Sequence, residues 1–377
     1  MHAPDRLLAT YRVRCDAIDA EARAQAIALE QSVELPLAAV RDARVREQVV
    51  GRVQAIRRCA EHEHEHEVDI ALAVETVGNE AGQLMNMLFG NSSLHEEVTL
   101  VDVELPVSLA AAFGGPRFGI DGLRALTGVR DRALSCTALK PQGLPPDALA
   151  DLARAFAESG IDVIKDDHGI ADQAFAPFAD RVRACQRAID DANARQGRNA
   201  LYAPSVTGDL DAMRRQIALA RELGVRVVLV APMIAGVSNV AHLARESGVA
   251  LLAHPALAGA ARIAPPLLIG KLFRLLGADA TIFPNAGGRF GYSQAQCLAI
   301  AAAARAPWHA MRSTLPVPAG GMSVERVREI LGRFGKDTML LIGGSLLEAH
   351  DALRARCRAF VEAVAEGSIT ERPQHAS

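Results

Sequence analysis

LSCTALKPQGLPPDALADLARAFAESGIDVIKDD, residues 134–167, contains one complete folding unit and the start of the next. The run LSCTAL (134–139) is too short for a helix and runs into a Lys-Pro-Gln-Gly loop, so it reads as a buried strand. PDALADLARAFAESG (146–160) has its apolar side chains three and four residues apart and ends on glycine. That is an amphipathic helix with a glycine stop. IDVIK (161–165) is then a second buried strand, lying parallel to the first because a helix connects them.

The same unit recurs to the end of the chain. Further apolar runs are LYAPSV (201–206), VRVVLVAP (225–232), VALLAH (249–254), ATIFP (280–284), TLPVPAG (314–320) and TMLLIGG (338–344), which makes eight strands in all. Helical patterns alternate with them at 178–194, 210–224, 293–306, 324–335 and 348–364. Eight alternating strands and helices predict a (β/α)8 TIM barrel over residues 116–377, with a doubly wound parallel sheet as the alternative. Residues 1–115 read otherwise: strand 7–14, helix 20–32, strands 53–60 and 68–75, helix 78–90 and strand 97–105. The order βαββαβ predicts a ferredoxin-like α+β domain. Residues 110–128 connect the two.

Half of the 377 residues are hydrophobic and 4% aromatic, so the core rests on Ala, Leu, Val and Ile. A formal charge of −3 carries no electrostatic footprint for nucleic acid. The longest apolar stretches are about half a membrane span, and the N-terminus lacks a secretory pattern, so a cytoplasmic protein with no membrane partner is expected. Six scattered cysteines without zinc spacing suggest neither a metal ribbon nor a disulfide framework.

In a TIM barrel the chemistry collects at the carboxyl ends of the strands. The residues expected there are Lys140, Lys165-Asp166-Asp167-His168, His254, Asn285 and Arg289, Gly320-Gly321 and Gly343-Gly344-Ser345. Carboxylates beside an imidazole offer oxygen and nitrogen donors to a divalent cation, and a lysine buried near them loses charge by desolvation. A solvated loop with a capping Asp is the plainer reading of the same four residues. Paired glycines let backbone N–H groups approach a phosphate, and as turn punctuation they would mean less. EHEHEHE (61–67) would put His62, His64 and His66 on one face of a strand. With nothing nearby to complete a metal shell, it reads better as a charge-paired edge.

GGPRFGIDGLRALTGV (114–129), CTALKPQGL (136–144), IDVIKDDHG (161–169) with AFAPFADRV (174–182), and the pairs PAGG and IGGS resemble the RuBisCO large-chain superfamily in its RuBisCO-like branch. The resemblance runs through residues 20–365. It implies that Lys165 is carbamylated by CO2 and that its carbamate, Asp167 and His168 ligate Mg2+, with His168 standing where the family has Glu. It implies that Lys140 handles protons at the enediolate, that His254 contacts substrate, and that Gly320, Gly321, Gly343 and Gly344 bind phosphate. Glu30 and Asn91 match residues that reach a neighbouring subunit's site, so at least a homodimer is expected.

The departures bear on activity. Carboxylases carry a lysine on the flexible loop after strand six, where this chain has FPNAGGRFGYS (283–293) and Arg289; Gln142, Pro255 and Ala258 replace three further basic residues. The resemblance therefore implies an Mg2+-dependent enolising enzyme for a singly phosphorylated keto sugar or sugar acid, and no carbon fixation. KDDH, FPNAGGRF and Gln142 look most like the group that decarboxylates or cleaves 3-oxo-isoapionate 4-phosphate. The alternatives are a 2,3-diketo-5-methylthiopentyl-1-phosphate enolase or methylthioribulose-phosphate isomerase and, in another class, a catalytically retired binding protein.

Overall fold

The computed structural model describes residues 5–60 and 62–369. The chain forms two compact units: Met1–Gly114 with Leu257–Leu268 and Trp308–Met311, and Gly115–Ala256 with Ile269–Pro307 and Arg312–Ser377.

In the first unit the order is β1 (Arg6–Arg14), α1 (Ala20–Glu30), β2 (Arg52–Arg58), β3 (Glu65–Ala73), α2 (Ala81–Phe89) and β4 (Val98–Glu104). The four strands are antiparallel in the order β2-β3-β1-β4, the ferredoxin-like sheet that the sequence predicts. Period-two alternation sets the two faces. Leu7, Ala9, Tyr11 and Val13 of β1 and Val68, Ile70 and Leu72 of β3 are buried, and the Tyr11 hydroxyl donates to Leu88 O of α2 at 2.6 Å. On the other face Arg12 pairs with Glu65 and Glu67, and Arg57 with Glu67 and Asp69. The His/Glu run is not one strand face. β3 begins only at Glu65, His64 meets Asp16 at 3.0 Å, and His66 is buried 3.8 Å from Cys15 Sγ. Residues 62–67 supply a turn and then a strand start, so the three imidazoles do not share one face; Glu61 lies outside the described residues.

The second unit carries β5 (Leu134–Leu139), β6 (Val163–Asp166), β7 (Leu201–Ala203), β8 (Val227–Val230), β9 (Ala250–Ala253), β10 (Ala280–Pro284), β11 (Leu315–Ala319) and β12 (Met339–Leu341). They pair in the order β7-β6-β5-β12-β11-β10-β9-β8, parallel in every ladder, and a parallel bridge between Ser205 and Leu229 brings the two end strands together. The (β/α)8 barrel replaces the doubly wound alternative. Leu134, Cys136, Val163, Ala203, Leu252, Ile282, Val317 and Met339 belong to one buried cluster, so the lumen is a packed core.

The connection read at 110–128 is itself structured. The helix Gly119–Thr127 places Leu123 in the barrel core cluster, and the buried Asp279 carboxylate, just before β10, accepts from Phe118 N and Gly119 N at 2.7 Å and Leu251 N at 2.9 Å. Arg124 donates to Arg132 O and Lys336 O, just before β5 and β12. This helix therefore lies across the amino ends of the strands, opposite the ends that carry the polar residues. Among the described residues no helix is long and apolar enough to cross a membrane.

Candidate active site

β6 ends in Lys165 and Asp166, and their side chains leave it in different directions. Asp166, fully buried, accepts from Arg181 Nε at 3.0 Å, Tyr202 Oη at 2.7 Å and Ser205 N at 3.0 Å. Burial raises its carboxyl, while Arg181, Tyr202 and the Ser205 N–H act against that. Both its oxygens are engaged by buried donors, so only one of the two carboxylates in the KDDH run faces the barrel mouth. Lys165 is a strand residue, 3% exposed, and donates from Nζ to the main-chain oxygen of Asp166 at 2.9 Å. Burial drives its pKa down, with Lys140 adding to the effect.

Asp167 and Lys140 meet across the mouth, with Lys140 Nζ 2.7 Å from Asp167 Oδ2 and Gly169 N donating to Oδ1 at 3.1 Å. Burial opposes ionisation of Asp167, and the Lys140 and Gly169 hydrogen bonds outweigh it, holding the carboxyl at about 2. His168 Nδ1 lies 3.4 Å from Asp167 Oδ1, and its ring stacks on His254 at 4.0 Å between centroids and 11° between planes. Burial lowers the His168 pKa, assisted by the charges of Lys165, Lys140 and Arg289 and opposed by Asp167. Burial and Lys165 push His254 down to about 2. Both rings are therefore neutral near pH 7. Ala256 N donates to His254 Nδ1 at 3.1 Å, which leaves the ring proton on Nε2 as a donor.

The glycine pairs divide by environment. A Cβ on Gly343 would meet only Lys140 Cε, at 3.9 Å, and one on Gly344 would meet nothing within 4 Å, so both border open space beside Lys140. Gly320 (φ +78°) is similarly free, with the Phe290 ring at 3.9 Å, whereas a Cβ on Gly321 (φ +64°) would sit 2.3 Å from Gly288 Cα. Gly321 is thus required by backbone packing, whatever it does for a ligand. Arg289 is exposed and lies over the Phe290 ring at 5.0 Å.

Lys140, Lys165, Asp167, His168 and His254 come together at one mouth. Glu30 and Asn91 meet each other in the other unit, where Asn91 Nδ2 donates to Glu30 Oε1 at 2.7 Å and to Glu34 Oε1 at 3.1 Å. Sequence reasoning gave no role to Tyr202, Arg181 or Gly169, the last of which leaves room for the Gln142 amide: a Cβ there would fall 1.6 Å from Gln142 Nε2. Nothing in the linear pattern marks them, since their partners lie elsewhere in the chain. Among the described residues no three His, Cys, Asp or Glu side chains form a metal site.

Residues 119–371 match the family described as ribulose bisphosphate carboxylase large chain, catalytic domain. The chain is 54% identical over 363 residues to the 5-methylthioribulose-1-phosphate isomerase of Rhodospirillum rubrum, covering 96% of each chain. It is 31% identical to the 2,3-diketo-5-methylthiopentyl-1-phosphate enolase of Geobacillus kaustophilus, over 98% of this chain and 94% of the other. The fold matches the crystal structure of a RuBisCO-like protein from Rhodopseudomonas palustris with a TM-score of 0.90 and 49% identity, over 98% of this chain and 99% of that one.

Proposed function

The chain belongs to the RuBisCO large-chain family, in its RuBisCO-like branch, and on that premise we propose that it isomerises 5-methylthioribulose 1-phosphate, a ketose with a single phosphate. The observation that carries the reading is the 54% identity to the isomerase across 96% of both chains, against 31% to the diketo enolase. The isomerase, an alternative at the level of sequence, thus takes precedence over decarboxylation of 3-oxo-isoapionate 4-phosphate. Both are enolate chemistry of the non-carboxylating kind. The replacements Arg289, Gln142, Pro255 and Ala258 accord with that.

The donor set fits Mg2+ on one condition. Asp167 and His168 converge to 3.4 Å in their ligating forms, carboxylate and neutral imidazole, and a carbamate on Lys165 completes three donors. The burial that lowers the Lys165 amine favours its uncharged form, the nucleophile that attacks CO2. Lys165 as its carbamate, Asp167 and His168 would hold the Mg2+, which when bound would supply Lewis-acid polarisation of the substrate carbonyl.

The chain's own groups do the rest. Lys140, whose side chain is 37% exposed at the mouth, moves the proton between Nζ and the substrate carbon beside the carbonyl, with Asp167 as its charge partner. His254 donates from Nε2 to a substrate oxygen and stays neutral, so it orients without taking up the proton. Gly343, Gly344 and Gly320 leave room for one phosphate and Arg289 adds a cation at the rim. The Glu30–Asn91 pair is assigned to a neighbouring subunit's site in a homodimer or a multiple of dimers.

The test is turnover in D2O with Mg2+ and bicarbonate, followed by NMR, on 5-methylthioribulose 1-phosphate and on 3-oxo-isoapionate 4-phosphate. Deuterium uptake and carbonyl migration in the methylthio sugar are expected. Loss of CO2 from the keto acid phosphate with no exchange in the methylthio sugar would replace the isomerase by the decarboxylase.

A further inference from the structure

The loop after β10 carries Arg289, and it is not loose. Asn285 N donates to Ala319 O at 2.8 Å, and Asn285 Nδ2 lies 3.3 Å from Met322 Sδ. A Cβ on Gly288 would sit 2.8 Å from Gly320 O, and one on Gly321 2.3 Å from Gly288 Cα, so the loops after β10 and β11 touch backbone to backbone. Such an approach is open only to glycine. Beside the Asn285–Met322 contact, a longer side chain spans the seam: Arg326 donates from Nη1 to Gly321 O at 2.9 Å and from Nη2 to Ala286 O at 3.3 Å. Glu329, one turn along, receives Nε at 3.2 Å and is itself held by Arg333 at 2.6 Å, which fixes the direction of the guanidinium. Ser345 Oγ donates to Met322 O at 2.9 Å and ties in the loop after β12.

We propose that Arg326 is a positioning residue of the active site, a latch that fastens residues 285–291 to the loop after β11 and so fixes Arg289 at the mouth. Arg326 touches no reacting atom in this scheme. It acts by joining two carbonyls on two loops, which needs two donors in a fixed plane; the single ammonium of a lysine meets that need only in part. The rim here is a fastened structure rather than a free lid, and Arg289 has a defined place because the loop beneath it cannot drift. The kinetic arm of the test rests on the isomerase reading; the proteolytic arm does not.

Trypsin under native conditions reports on the Arg289–Phe290 bond. Losing hydrogen bonds from a charged donor raises the open population of the loop on the order of ten-fold, and cleavage follows that population when reclosing is fast. Arg326→Ala should therefore be cut at Arg289 about ten-fold faster, with Arg326→Lys in between. Gly288→Ala, which pushes the loops apart without touching Arg326, should show the same new cut. With 5-methylthioribulose 1-phosphate, Arg326→Ala should raise KM about ten-fold and leave kcat within about two-fold, as loss of uniform binding requires. Unchanged cleavage at Arg289 in both alanine variants would overturn the latch, and so would faster cleavage spread evenly over all sites, since that is global loosening. If the wild-type enzyme does not turn the sugar over, the isomerase reading falls and cleavage alone decides on Arg326.

Discussion

Asp166→Asn changes one oxygen to nitrogen in a site with no exposed surface. Tyr202 Oη, Arg181 Nε and Ser205 N all donate to the carboxylate, at 2.7, 3.0 and 3.0 Å. An amide offers one acceptor oxygen and turns its NH2 toward at least one of those donors. The Arg181 guanidinium, 0% exposed and donating also to Ala171 O and Ala176 O at 2.7 and 2.6 Å, then faces a neutral amide in place of its carboxylate. Its charge is then buried without a counter-charge, for which about 3 to 5 kcal/mol is the usual cost. Tyr202→Phe removes one hydrogen bond to a charged acceptor, and should cost about 1.5 to 3 kcal/mol. Equilibrium urea unfolding followed by circular dichroism measures both. The double variant Asp166→Asn with Arg181→Met should recover part of the loss, because it removes the stranded charge. A loss below about 1 kcal/mol for Asp166→Asn, or no recovery in the double variant, would refute the account of this network. Lys165 Nζ is tied to the main-chain oxygen of Asp166, so the network also sets the position of the lysine proposed to carry the carbamate.

The Asp167 carboxyl, held at about 2, should titrate by carbon NMR well below the free value near 4, and Lys140→Met should move its midpoint up toward that value. A group depressed in the folded state stabilises above its unfolded pKa, and that contribution fades as pH falls from about 4 toward 2; a midpoint unmoved by Lys140→Met would remove Lys140 as the cause. Two glycine substitutions should part company. Gly321→Ala meets backbone at 2.3 Å and holds φ at +64°, for a loss of roughly 2 to 4 kcal/mol. Gly169→Ala meets the far end of the exposed Gln142 side chain, which can swing away for under about 1 kcal/mol, and otherwise Asp167 Oδ1 at an ordinary contact of 3.4 Å, so equal losses in thermal unfolding would contradict this reading of the loops.

The sequence discloses elements better than it discloses partners, for a physical reason. An apolar run such as LSCTAL declares itself because all six of its residues are buried, and β5 occupies those same six positions. The ferredoxin-like order was legible likewise, from alternation in β1 and β3. KDDH was legible as a cluster, but periodicity cannot say that Asp166 turns toward Tyr202, 36 residues on, while Asp167 turns toward Lys140, 27 residues back. Gly321 illustrates the same limit: its sequence fits a phosphate loop, and in the fold it packs against Gly288, a contact that no spacing rule contains. Arg326 is one of three arginines in VERVREILGR (324–333), and only the fold distinguishes the one that bridges two loops.

The packed lumen closes the barrel beneath its mouth, and the helix Gly119–Thr127, pinned through Asp279 and Arg124 at the amino ends of the strands, seals the floor of this vessel a second time. Such a vessel has one doorway, and the traffic through it is two-way: product must leave by the route along which the next substrate arrives. Crowding by product would then take the form of competition for entry, and the rim that Arg326 is proposed to fasten would govern departure as much as arrival.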